Sequence, residues 1–176
     1  SRVVQAAALF NAREGINISA RRITVSTAGI VPQIRRFTQE GQRYKLAVSL
    51  NASTEEQRTR LMPVNSTHSL ADLIAAAGDY AARSRNRITF EYVLLKNTND
   101  HPQDARRLKR LLSGFPCKLN LIPYNEIGGI FLRPTTDRID AFLAELADAP
   151  FPVTVRWSGG DTIGAGCGQL AVETTP

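Results

Sequence analysis

Residues 88–123 read ITFEYVLLKNTNDHPQDARRLKRLLSGFPCKLNLIP, and this stretch decides the fold. Its two ends, Ile88–Leu95 and Lys118–Pro123, are short apolar runs rich in strand-forming residues and predict β-strands. Between them, Pro102–Leu112 places Ala105, Leu108, Leu111 and Leu112 on one helical face. Proline stands near its first turn and Gly114 just past its end, the usual punctuation of a helix. Strand, helix and strand in that order predict a parallel pair joined by a crossover.

The same alternation continues outward. Arg22–Ser26 and Lys45–Leu50 are strand candidates upstream, and Val153–Trp157 is one downstream. Several of these runs are apolar on both faces, which suits strands covered by helices. Ser69–Ser84 sets Leu70, Leu73, Ile74, Ala77, Tyr80 and Ala81 on one face, with His68-Ser69 as cap and Asp72 three residues after Ser69 like a weak capping box. Thr136–Ala147 does the same with Ile139, Phe142, Leu143 and Leu146, capped by Thr136 or Asp137. The expected class is α/β with a mostly parallel sheet, as a barrel, a partial barrel or an open doubly wound sheet. In all three, ligands gather at the C-terminal ends of the strands. The polar residues there are Ser26, Thr27, Ser49, Asn51, Lys96, Asn97 and Asn125.

The 176 residues fit one domain, 1–176. Val3, Val4, Ala7, Ala8 and Phe10 form a helical stripe almost at the start, with no strand before it. The expectation is therefore a C-terminal part of something larger. At 43% hydrophobic and 22% charged residues, the chain can bury a core and is neither disordered nor low in complexity. No apolar run approaches the roughly 18 residues of a membrane span, and no signal-peptide pattern opens the chain. Two cysteines rule out a disulfide scaffold. The expected location is cytoplasmic, with no membrane partner. The net charge of +6 comes from 22 basic residues, 18 of them arginine, and is compatible with a polyanionic partner such as RNA.

General motifs are absent: there is no G-x-G-x-x-G, Walker loop, H-E-x-x-H or C-x-x-C. His68 and His101 lie in polar segments before helices and read as surface or cap residues. Cys167 stands out, because it lies in Gly164-Ala165-Gly166-Cys167-Gly168-Gln169-Leu170. Core cysteines usually sit among aliphatic residues, whereas a thiol between glycines is a candidate for nucleophilic or redox chemistry, or an idle loop thiol. Cys117, between Pro116 and a strand, reads as a buried structural thiol.

Six collinear blocks carry a resemblance. They are Thr24–Gly29 with Ile30-Val31-Pro32, Leu46–Ala52, Arg60–Asn65, Phe90–Lys96, Asn120–Asn125 and Ala165–Leu170. Together they resemble the RlmN/Cfr family of radical S-adenosylmethionine RNA methyltransferases, nearer to its adenine-C2 branch, over almost the whole chain. The resemblance implies the C-terminal half of a partial (β/α)6 TIM-like barrel. It implies that Ser26, Ser49, Leu50, Asn51 and Asn125 bind S-adenosylmethionine and that Cys167 carries the methyl group as an S-methylcysteine intermediate. The implied reaction is methylation of C2 of an adenine in 23S ribosomal RNA and, in some members, tRNA, using a [4Fe–4S] cluster and an electron donor. C2 of adenine is electron-poor, which is why direct transfer from a sulfonium fails and a cysteine carrier is needed.

The family's C-x-x-x-C-x-x-C cluster motif, Gly-Glu cofactor motif, general base and partner cysteine have no counterpart in this sequence. All belong to the family's N-terminal half. No metal ligands are therefore expected here, the cluster is expected only with that missing half, and the isolated chain is expected to be inactive and to self-associate. Asn51 stands where the family commonly has histidine, Gly164 and Gly166 loosen the pattern before Cys167, and Gly159 sits where arginine is common. The alternative is a non-catalytic RNA-binding or assembly module derived from the same fold, or a degraded paralogue.

Overall fold

A computed structural model describes residues 1–126 and 130–157. It begins with helix α1 (Arg2–Asn11), capped by Ser1. Strand β1 (Thr24–Thr27), helix α2 (Val31–Gln39), strand β2 (Lys45–Ser49), helices α3 (Glu55–Leu61) and α4 (Leu70–Arg83), strand β3 (Ile88–Leu94), helix α5 (Pro102–Leu112), strand β4 (Cys117–Pro123), helix α6 (Thr136–Ala144) and strand β5 (Val153–Val155) follow. All four strand pairings are parallel, and the sheet order is β1-β2-β3-β4-β5. A doubly wound sheet reverses its strand order at a switch point. Here order in space follows order in sequence, as in a (β/α) barrel.

The two faces of the sheet differ in chemistry. One carries Leu46, Val48, Ile88, Phe90, Tyr92, Leu119 and Leu121, all buried. Helices α2, α4, α5 and α6 cover it with Ile34, Leu73, Tyr80, Leu108 and Phe142 in one continuous core. Their buried side chains follow helical spacing, which is why amphipathic sequence folds this way. The register runs Ser49↔Glu91↔Asn120↔Thr154 across the other face. Asn120 Nδ2 donates to Glu91 Oε1 at 3.0 Å, and Thr154 Oγ1 donates to Asn120 Oδ1 at 2.5 Å. This face is the polar, inward side of a barrel segment, and among the described residues helices α2, α4, α5 and α6 pack on the opposite, apolar face.

The predicted strands and the α4 and α5 helices stand where the sequence puts them, and Ser69 caps α4 through the Asp72 N–H at 3.0 Å. Two helices, α2 and α3, were not anticipated. Residues Ala20–Arg22 form a 3-10 turn, so β1 starts at Thr24 rather than Arg22. The cap of α6 is Thr135, whose hydroxyl accepts from Arg138 N–H, rather than Thr136 or Asp137. That helix ends at Ala144 because a run of turns follows it.

Candidate functional site

The C-terminal strand ends are held by one buried cation. Arg58 of α3 is fully buried, with its guanidinium beneath the ends of β1 and β2. Its Nη2 donates to the carbonyls of Ala28 at 2.7 Å and Ser49 at 3.3 Å, and its Nη1 donates to Asn65 Oδ1 at 3.0 Å. Asn65 in turn donates to Glu55 Oε1 at 2.7 Å, and Glu55 Oε2 accepts from Leu70 N–H at 2.8 Å. Burial lowers the Arg58 pKa, and the nearby Glu55 charge works against that shift. The cation thus ties two strand ends to the start of α4.

Gly29 makes this possible. Its φ is +109°, and a Cβ there would lie 2.7 Å from Arg58 Nη2. Thr27 Oγ1 accepts from the N–H groups of Gly29 at 3.1 Å and Ile30 at 3.4 Å, closing the turn from β1 into α2.

Asparagines fasten β2 to β3. Asn51 has φ +56°, a left-handed conformation that asparagine tolerates better than most residues. Its Oδ1 accepts from Val93 N–H at 3.0 Å, and its Nδ2 points to Met62 Sδ at 3.4 Å. Buried Asn99 donates to the carbonyls of Asn51 at 2.9 Å and Val93 at 2.8 Å and accepts from Leu95 N–H at 2.7 Å. Beneath it, the Tyr92 hydroxyl donates to Asn99 O at 2.8 Å. Burial first, then the Asp104 and Asp100 carboxylates, push the Tyr92 pKa well up, so it stays a donor. Ser53 Oγ donates to Asp104 Oδ1 at 2.6 Å, and Gln57 Nε2 donates to Thr98 O at 2.9 Å, locking the loop after β2 onto α5.

On this frame the site residues inferred from sequence fall as follows. Ser26 and Ser49 lie on adjacent strands on the polar face, Ser26 opposite Ala47 and so two residues nearer the strand start than Ser49. Neither hydroxyl makes a hydrogen bond to protein among the described residues. Leu50 buries its side chain in the core and spends its N–H on Glu91 O at 2.9 Å, so its carbonyl is what remains for a ligand. The amide of Asn51 is engaged at both ends, as above. Asn125 follows β4, two strands further along the rim, next to Tyr124, whose N–H donates to Leu94 O at 3.1 Å. Cys167 lies outside the described residues. Cys117 is buried, its Sγ 3.5 Å from Leu112 O, and burial pushes its thiol up to about 11 against a partial offset from Arg87.

The sequence reading passed over Arg58, Asn65 and Asn99. An isolated arginine in a helix rich in charge gives no signal of burial; only the juxtaposition with Gly29 and two strand ends reveals it. Among the described residues no group of three His, Cys, Asp or Glu side chains could hold a metal ion. No helix among them is long and apolar enough to cross a membrane.

A parallel sheet in sequential order, with helices packed on one face and uncommitted hydroxyls at the C-terminal rim, is the architecture of a (β/α)-barrel segment. A domain of pyruvate-formate lyase-activating enzyme from Bacteroides vulgatus ATCC 8482 shares this fold, with a TM-score of 0.58 at 13% identity over 76% of this chain and 80% of that one. A radical SAM methyltransferase from Sphaerobacter thermophilus matches with a TM-score of 0.89 and 43% identity, covering 94% of this chain and 49% of that one.

In sequence, the chain is 47% identical over 169 residues to the dual-specificity RNA methyltransferase RlmN of Anaeromyxobacter dehalogenans (strain 2CP-C), covering 96% of this chain and 45% of the relative. It is 48% identical over 167 residues to RlmN 2 of Myxococcus xanthus (strain DK1622), covering 94% and 44%. No protein-family model matches the chain. The chain is thus similar to RlmN proteins and to a radical SAM methyltransferase along almost its whole length, and it spans about half the length of the curated relatives it matches.

Proposed function

We propose that this chain is the C-terminal half of a radical S-adenosylmethionine RNA methyltransferase that acts on C2 of adenine in 23S ribosomal RNA, with tRNA as its second substrate. The observation that carries the reading is the pair of free hydroxyls, Ser26 and Ser49, on neighbouring strand ends that Arg58 holds at a fixed spacing. The residues present suit the nucleoside and amino-acid parts of S-adenosylmethionine: polar side chains, a strand-end carbonyl at Leu50 and a rim residue at Asn125. They do not suit an iron–sulfur cluster, because the chain has two cysteines, one of them the buried Cys117. The cluster and its electron donor are assigned to the other half of the protein, and no step here runs through them.

When bound, S-adenosylmethionine supplies the methyl group and the radical chemistry. This chain's residues bind and orient it. Ser26 and Ser49 offer hydroxyls that donate or accept, and the Leu50 carbonyl accepts. Asn51 acts through its backbone turn, since its amide braces β3. Cys167 is the proposed methyl acceptor: its thiolate would be the nucleophile to which bound S-adenosylmethionine would supply a methyl group. The adenine must leave its stack to reach this rim.

The test is calorimetric titration of S-adenosylmethionine into the intact protein that contains this chain. Replacing both Ser26 and Ser49 by alanine is expected to weaken binding about tenfold, two lost hydrogen bonds at about 0.5–1.5 kcal/mol each. Unchanged affinity contradicts the assignment.

A further inference from the structure

Positive charge concentrates at the end of the sheet away from the candidate site. The segments that lead into β1, β2 and β3 bring Arg21, Arg43, Arg83 and Arg85 around one cavity of about 580 Å³. No aspartate or glutamate lines it. All four side chains are exposed, and none of the four guanidinium groups makes an ion pair or hydrogen bond among the described residues. Arg83 lies in the last turn of α4, where one cation complements the helix dipole. That accounts for Arg83 alone; the other three lie outside the α-helices. Four unpaired like charges around one hollow repel each other, and a multiply charged anion relieves that repulsion.

The lining indicates which anion. Guanidinium forks match phosphate oxygens in pairs. Asn86, in the same wall, anchors its amide on Arg43 O at 3.3 Å. The aromatic residues of the lining, Phe37 and Tyr80, are buried at 6% and 1% exposure. The cavity therefore offers no aromatic platform for bases and no apolar anchor of the kind that centres a protein interface. What it can hold is a phosphate backbone, without reading sequence.

We propose that this cavity is a phosphate-binding surface for the backbone of an RNA helix, on the rim opposite the candidate cofactor site. The choice of RNA among polyanions rests on the methyltransferase reading; the anion site itself rests on the arginine geometry. A seven-residue strand such as β3 spans roughly 20 Å at about 3.3 Å per residue. An RNA that reaches both rims therefore extends beyond its target base by at least that distance, and the surface engages backbone remote from the reacting nucleotide.

The experiment is fluorescence anisotropy of a labelled RNA hairpin titrated with the intact protein that contains this chain, across a series of salt concentrations. The combined variant Arg21→Ala, Arg43→Ala, Arg83→Ala and Arg85→Ala is expected to bind at least about tenfold more weakly, with the log–log salt slope reduced by about 3. The same four positions changed to lysine are expected to keep the slope. A charge-matched control, Arg2→Ala, Arg13→Ala, Arg35→Ala and Arg110→Ala, removes exposed arginines elsewhere and is expected to change the slope little. Circular dichroism confirms that each variant keeps its fold. The proposal is overturned if the cavity variant binds as the wild type does, if the control loses as much, if the wild type does not bind the hairpin, or if polyglutamate competes as well as RNA. Anisotropy reads binding without chemistry, so a failed methyltransferase assignment would show as absent methylation with this binding intact.

Discussion

Arg58 occupies the space a side chain at Gly29 would need: a Cβ at position 29 would sit 2.7 Å from Arg58 Nη2. The glycine turn after β1 and the buried guanidinium under β1 and β2 are therefore one device. It holds Ser26 and Ser49, the residues proposed to face the cofactor, in fixed relation. Gly29→Ala adds both a disfavoured φ and a collision. It is expected to cost about 2 kcal/mol or more in urea unfolding, while Gly41→Ala, also at positive φ but with open space around it, costs only the conformational part.

Arg58 offers a sharper contrast. Arg58→Lys keeps the charge but cannot reach the carbonyls of Ala28 and Ser49 and the amide of Asn65 together. It leaves a buried ammonium with too few partners, so Lys is expected to be no better than Met at this position. Both are expected to lose about 2–4 kcal/mol by chemical denaturation. A lysine variant as stable as wild type would contradict the fork geometry.

Asn99 gives a third test. Its amide nitrogen serves two carbonyls and its oxygen serves one N–H, and the Asn99 side chain itself is fully buried. Asn99→Asp preserves shape but turns a donor into an acceptor facing two carbonyls. The expected loss is about 3 kcal/mol, seen as a lowered urea midpoint, with the end of β3 exchanging its amide protons faster.

What the sequence shows and what it hides divide along physical lines. Ile88–Pro123 declares strand, helix and strand because burial on one face imposes a period that can be counted. Helix α3 escapes that count: Glu55–Leu61 is nearly all polar, and its buried members are Gln57 and Arg58 rather than apolar residues. Helix α2 is short, with proline in its first turn, and its apolar positions Val31, Ile34 and Phe37 follow a strand-like motif without a break. The candidate site divides likewise. Ser26, Ser49 and Asn125 are visible as polar residues at strand ends. The residues that hold them, Arg58, Asn65 and Asn99, work through contacts 4 to 48 positions away in sequence, most of them to backbone atoms of other elements, and no local pattern encodes such partners. Asn51 was readable as a site residue but not as a brace, since its carboxamide partner is a backbone N–H on the next strand.

Cys117 supplies the pH test. Burial raises its pKa from 9.0 to about 11. Below about pH 9 the thiol is protonated both folded and unfolded, and its burial contributes in full. As pH rises from 9 toward 11 the unfolded thiol ionises first, so stability is expected to fall across that window. Cys117→Ala is expected to flatten the fall while creating only a small cavity cost. Iodoacetamide at pH 8 is expected to leave Cys117 unmodified in the native chain and to label it in urea, as read by peptide mass spectrometry.

The central claim is that the thiol of Cys167 carries the methyl group to the adenine. The most direct measurement is 2-methyladenosine, quantified by mass spectrometry in RNA treated with the intact protein containing this chain, with and without Cys167→Ala. The account predicts 2-methyladenosine with the wild type and none with the variant, while S-adenosylmethionine still binds to both. Methylation surviving in the variant would contradict it.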